Sequence, residues 1–155
     1  MTGLVVRDAL AADLPVIVAM LAEDQIGGNP DNPAEPLDPA YLSAFAAIDA
    51  DPNQRLLVAE LGGKVVGTMQ LSFLPGISNH GAWRGQIEAV RVVRAHRSAG
   101  LGAAMIAWAV ARCRERECSH AQLTSNATRT DAHRFYERLG WKKSHAGFKL
   151  HLKEG

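Results

Sequence analysis

No stretch of this 155-residue chain approaches the roughly 20 consecutive apolar residues of a membrane-spanning helix. Charge of one sign is missing too. Seventeen Lys and Arg stand against 16 Asp and Glu, a formal net charge of +1. Composition therefore gives no field that would draw nucleic acid or an acidic membrane as partner. Cysteine is scarce, with only Cys113 and Cys118. Their spacing is not C-x-x-C, and His120 is the only further ligand nearby. A structural zinc site takes four ligands, so no metal is expected and both thiols are expected reduced. The opening MTGLVVRDAL lacks the basic segment and long apolar core of a secretory signal, which makes a cytoplasmic location the default expectation.

What is present suits one ordinary globular domain spanning 1–155. Apolar residues make up 47% and charged residues 21%. GLVVRDAL reads as a first strand with Leu4 and Val6 on one face. Asp13, Leu14 and Pro15 open a helix whose apolar stripe is Leu14, Ile17, Val18 and Leu21. The longest irregular stretch, EDQIGGNPDNPAEPLDP, fits a surface linker or a lid over a substrate site equally well. AYLSAFAAIDA is a short helix. RLLVAEL and KVVGTMQLSFL flank Gly62-Gly63 as a β-hairpin. After the loop PGISNHGAWRG, QIEAVRVV is a strand. Residues 99–116 form a helix, with Leu101, Met105, Trp108, Ala109 and Cys113 at helical spacing. HAQLTS is a short strand, and TRTDAHRFYERLG is a helix stopped by Gly140. WKKSHAGFKLHL reads as two last strands. The order βααβββαβαββ predicts an α/β fold with one mixed, mostly antiparallel sheet and helices on both faces.

RSAGLG, residues 97 to 102, lies where a strand ends and a helix begins. The first amides of a helix have no partner within it, and the helix dipole makes that end positive. Glycines let the backbone approach an anion closely, and Arg91, Arg94, His96 and Arg97 add charge. The run is not a Walker A loop, and Met105 breaks the register of a dinucleotide fingerprint. By itself it reads as a turn or as an anion cradle.

Residues 97–102 also match [QR]-x-x-G-x-[GA], and FYERLGW, residues 135–141, is similar to Y-E-x-x-G-F. With these two blocks in this order, the chain resembles the GNAT superfamily of N-acetyltransferases. The resemblance is firm from Ile87 to Trp141 and weak before Gln54. It implies a GNAT-like acyl-CoA N-acyltransferase fold and acetyl-CoA as cofactor. Arg97, Ser98, Ala99, Gly100, Leu101 and Gly102 would hold the pyrophosphate. Val90 and Val92 would offer free backbone to the pantetheine arm, where the fourth and fifth strands splay. Asn126 would contact the cofactor, although the family's usual spacing falls on Arg129.

Acetyl transfer to an amine needs a base for the ammonium, a donor for the thioester oxygen and an acid for the leaving thiolate. The resemblance makes Tyr136 the acid, against a plain core-tyrosine reading. It makes Glu88, in an apolar stretch that would desolvate it, the base, against a glutamate paired with Arg84 or Arg91. His145 is the reserve base. A backbone N–H near Val90 would serve the thioester oxygen. Trp83 and Arg84 are the expected substrate contacts, Arg84 for a carboxylate or phosphonate. The expected acceptor is a small-molecule amine; the sequence does not give the oligomeric state, and only the family resemblance allows a homodimer. The alternative is a non-catalytic acyl-CoA-binding sensor or regulatory module of the same fold.

Overall fold

The computed structural model describes residues 3–23, 30–97 and 99–153. Ser98 and residues 24–29 of the long irregular stretch therefore lie outside the described residues. The chain divides into two compact units, Met1–Gln122 and Leu123–Gly155.

The first unit is built on a five-stranded sheet of order β1-β2-β3-β4-β5. Its strands are β1 (Leu4–Asp8), β2 (Gln54–Leu61), β3 (Lys64–Leu74), β4 (Arg84–Val92) and β5 (His120–Gln122). The first four run antiparallel, and β5 joins β4 in parallel. Gly62 and Gly63 close the β2–β3 hairpin with φ of 60° and 76°. A two-residue turn with positive φ at both central residues matches the twist of its strands, and glycine adopts that backbone without strain.

Three helices flank this sheet. A 3-10 turn at Ala11–Asp13 leads into α1 (Leu14–Ala22), where Asp13 accepts the Leu10 N–H at 2.7 Å. Leu14, Ile17, Val18 and Met20 are its buried side. In α2 (Pro39–Ala50), Asp38 caps the first turn by accepting the Ala40 N–H at 2.9 Å. The third, α3 (Leu101–Glu115), buries Leu101, Met105, Ile106, Ala109 and Cys113.

Two glycines fix which face α3 covers. A Cβ on Gly67 would stand 2.7 Å from Met105 Sδ, and one on Gly85 would collide with Cys113 Sγ. On that face lie Met69, Leu71, Phe73 and Ile87, all but fully buried. On the opposite face Val58 packs with Ala9 and Ile17, ringed by Leu21, Phe45 and Leu56 from α1, α2 and β2. Helices thus cover both faces, as the apolar periodicity predicts. Among the described residues no helix is long and apolar enough to cross a membrane. Both cysteines are free thiols, and burial pushes Cys113 up to about 11.

Arg7 ties the edge of the sheet together. It donates to both Asp13 oxygens at 2.8 and 3.1 Å and also pairs with Glu60. Its guanidinium holds the Asp13 carboxyl below the usual carboxylate range, against the opposing effect of burial.

The second unit contains α4 (Thr130–Arg138), which ends at Gly140 with φ 94°. The two last strands expected after it do not form: no ladder runs through 141–152. Phe148, Leu150 and Leu152 do alternate with polar residues, yet they are 96%, 83% and 89% exposed. Alternation decides which side chains share a face. It does not supply the neighbouring backbone that a strand requires.

Candidate cofactor and acceptor site

The candidate cradle begins where β4 leaves the sheet. A 3-10 turn at Arg94–His96 carries the chain to Arg97, and Gly100 then sits at the N-cap of α3 with φ 82° and ψ 4°. This left-handed conformation costs an L-residue about 1–2 kcal/mol and glycine almost nothing. Gly100 itself brings no side chain to cap α3. The N–H groups of its first turn have no acceptor within the helix and point along its axis, the arrangement that suits an anion. Leu101 is 1% exposed and anchors the loop in the core. Arg97 donates from Nε to the Val92 carbonyl at 3.0 Å and from Nη2 to Glu23 at 3.2 Å. A guanidinium has five N–H donors, so these two bonds do not exhaust it.

Strand β4 changes character along its length. Arg84, Gly85 and Gln86 pair with His120, Ala121 and Gln122 of β5. Beyond Gln86 no ladder runs along that edge among the described residues. Against β3 the register is regular from Leu74↔Arg84 to Gln70↔Glu88, then shifts so that Thr68 meets Arg91. The shift is a β-bulge at Ala89, whose φ is 54°. Bulges bend a strand and re-aim its backbone, and they concentrate next to active sites. Here one falls beside Val90, where the thioester-polarising N–H is expected. Sequence inspection cannot find it, because alanine carries no signal for positive φ.

Glu88 immediately precedes the bulge, is exposed and has no ion-pair partner among the described residues. Its expected desolvation is not found. The apolar neighbours Ile87 and Ala89 do not enclose it, because Ile87 faces α3 and Glu88 the other side. Arg84 and Glu88 share that other face, and Trp83 does not. The Trp83 ring turns toward Arg116, whose guanidinium lies 5.9 Å from it and 4.2 Å from the buried Phe73 ring. The structure thus parts the two expected substrate contacts.

The second unit holds Asn126, Arg129, Tyr136 and His145. Tyr136 is half-buried on α4, edge-on to Phe135 at 5.0 Å and to Trp141 at 6.0 Å between ring centroids. Asn126 Oδ1 accepts from the Thr128 N–H at 2.9 Å and from its hydroxyl at 2.7 Å, an Asx-turn that leads into α4. Its amide nitrogen is the part left for a ligand. His145 is exposed, with Nδ1 at 2.7 Å from Ser144 Oγ. Arg129 sits at the N-cap of α4.

Residues 18–141 match the model of the Acetyltransferase (GNAT) family. The chain is similar to the aminoalkylphosphonate N-acetyltransferase of Salmonella typhimurium strain LT2, with 36% identity over 109 residues, 70% of each chain. A solved structure from Bacillus halodurans C-125, described as a transcriptional regulator, superposes with a TM-score of 0.92 at 42% identity. That match covers 96% of this chain and 99% of the other. A Trypanosoma brucei acetyltransferase superposes with a TM-score of 0.76 at 26% identity, over 96% and 99% of the two chains.

Proposed function

The chain belongs to the acetyltransferase (GNAT) family and is an acetyl-CoA-dependent N-acetyltransferase; from that premise we propose that it acetylates a primary amine of a small molecule by direct attack in a ternary complex. The observation that carries the reading is on one connection. The bulged half of β4 leads into the α3 N-terminus at the left-handed Gly100, with Glu88, which has no ion-pair partner among the described residues, at the bulge. The family match runs across the boundary between the two units, which supports reading 1–155 as one domain.

Acetyl-CoA, when bound, supplies the activated acetyl thioester and a thiolate leaving group. The amides from Ala99 to Gly102, with Arg97, hold its pyrophosphate, and the β4 backbone at Val90 and Val92 hydrogen-bonds the pantetheine arm. The residues fit this group: the left-handed Gly100 brings no side chain of its own into the helix mouth, where the first amides have no acceptor within the helix. Glu88 takes the proton from the ammonium, directly or through water, and frees the lone pair that attacks. The N–H beside Val90 meets the negative charge that grows on the thioester oxygen. Tyr136 gives a proton to the departing sulfur, and the second proton lost from the attacking nitrogen as the amide forms restores the phenol. Asn126 supports the cofactor through its amide nitrogen. The Salmonella relative acts on aminoalkylphosphonates, and Arg84 is a suitable partner for such an acid group.

Initial rates of thiol release, measured while acetyl-CoA and amine are both varied, test direct attack. Intersecting double-reciprocal lines are expected; parallel lines would mean an acetyl-enzyme and overturn it. The likeness to the Bacillus halodurans protein favours a second reading, a regulatory module that binds acyl-CoA without turning it over. Saturable acetyl-CoA binding with no thiol release across a broad amine panel would select that reading.

A further inference from the structure

The outer face of β4 carries charge at two places and none between. Arg84, Gln86 and Glu88 alternate along a stretch in regular register with β3, so all three stand on the face opposite α3. Hydrogen bonds confirm the face at the middle position. Gln122 Nε2 donates to Gln86 Oε1 at 3.0 Å, and Ser72, directly opposite Gln86 on β3, donates to Gln54 Oε1 at 2.7 Å. The strip therefore reads carboxylate, neutral amides, guanidinium.

Neither charged end is spoken for. Arg84 and Glu88 each lack an ion-pair partner among the described residues, and they do not pair with each other. Four strand residues separate their Cα atoms by about 13 Å. The Arg84 guanidinium leans further off. Its Nη1 lies 3.4 Å from where a Cβ on Gly76 would stand, in the loop beyond the start of β4 and away from Glu88. Two opposite charges held apart on one face, with hydrogen-bonding amides between, complement a bipolar ligand rather than each other.

Resting on the acetyltransferase reading, we infer that the acceptor is an amine bearing a phosphonate, phosphate or carboxylate several bonds from its nitrogen, with the ammonium at Glu88 and the anion at Arg84. The spacing sets a length. An aminomethyl acid keeps its two charges within one side-chain position of the strip and reaches only one end. An acid whose nitrogen and anion are roughly 7–13 Å apart, two to four strand residues, reaches both. Gln86 and Gln122 would meet polar atoms along the way.

The test is calorimetric binding of ω-aminoalkyl phosphonates and carboxylates, from aminomethyl to aminohexyl, to the CoA-loaded protein, with thiol release measured on the same series. Affinity is expected to rise with chain length. The Arg84→Gln variant should bind the long acids about tenfold more weakly, and matched ω-amino alcohols as wild type does. Arg84→Lys should recover part of the loss. Strongest binding by the aminomethyl acid, equal loss of acids and alcohols in Arg84→Gln, or no binding along the series would overturn the inference. Length-dependent binding without thiol release would leave it standing and remove the catalytic reading instead. Turnover that ignores length would do the reverse.

Discussion

The two halves of β4 obey different rules. From Arg84 to Ile87 the strand is paired on one side in regular register and on the other with β5 as far as Gln86. Its inward positions are so tightly packed that Gly85 has no room for a methyl group beside Cys113. Beyond Gln86 no β5 ladder runs among the described residues, and after Glu88 the register slips as Ala89 takes a left-handed backbone. The first half presents side chains on a rigid ladder, which suits recognition of an acceptor. The second presents bent, open backbone, which suits a cofactor held through amides. One strand serves both tasks because the bulge divides it.

Substitutions can break that division, and the largest effect belongs to the cofactor side. Gly100→Val should weaken acetyl-CoA binding by at least about a hundredfold, because a β-branched residue at this φ moves the amides of the cradle. Calorimetry reads the affinity, and a thermal melt near that of wild type shows that the fold persists. Tyr136→Phe should slow turnover by about a hundredfold while leaving acetyl-CoA affinity unchanged. An unchanged rate would remove Tyr136 as the acid.

The packed half answers to volume. Gly85→Ala should cost about 1–3 kcal/mol in denaturant unfolding, since the new methyl group must displace a buried thiol. Away from β4, the Arg7–Asp13 pair gives a smaller and pH-dependent effect. The folded Asp13 carboxyl titrates below its ordinary value of about 3.9, so its contribution is full above that pH. It is lost as pH falls through the folded value. Asp13→Asn should cost about 1 kcal/mol at neutral pH, and the gap to wild type should close on acidification below pH of about 4. The smallest effect is expected at the bulge itself. Ala89→Gly should shift stability by no more than about 0.5 kcal/mol, since relief of the left-handed strain offsets the added freedom of the unfolded chain. The contrast between positions 85 and 89 is the sharpest check on the division. A glycine is tolerated four residues from a place where an alanine is not.

Much of this was legible in the residues. Gly62-Gly63 announces the hairpin, the spacing from Leu101 to Cys113 announces α3, and the glycine of RSAGLG announces the left-handed turn at its mouth. These signals are local, carried by backbone freedom or by one helix's own periodicity. What stayed hidden depends on neighbours. Nothing about alanine tells of the bulge at Ala89, which exists only against the register of β3. Adjacent letters Trp83 and Arg84 suggest one wall, yet strand alternation sends them to opposite faces. Glu88 sits among apolar letters and is exposed for the same reason. Residues 148–152 have the alternation of a strand and lack a ladder among the described residues.

Calorimetric titration of acetyl-CoA into the wild-type protein and into Gly100→Val tests the central claim most directly. The account predicts saturable binding with a single site in wild type and its loss in the variant, with both proteins folded. Equal affinity in the two proteins, or no heat of binding in wild type, would contradict it.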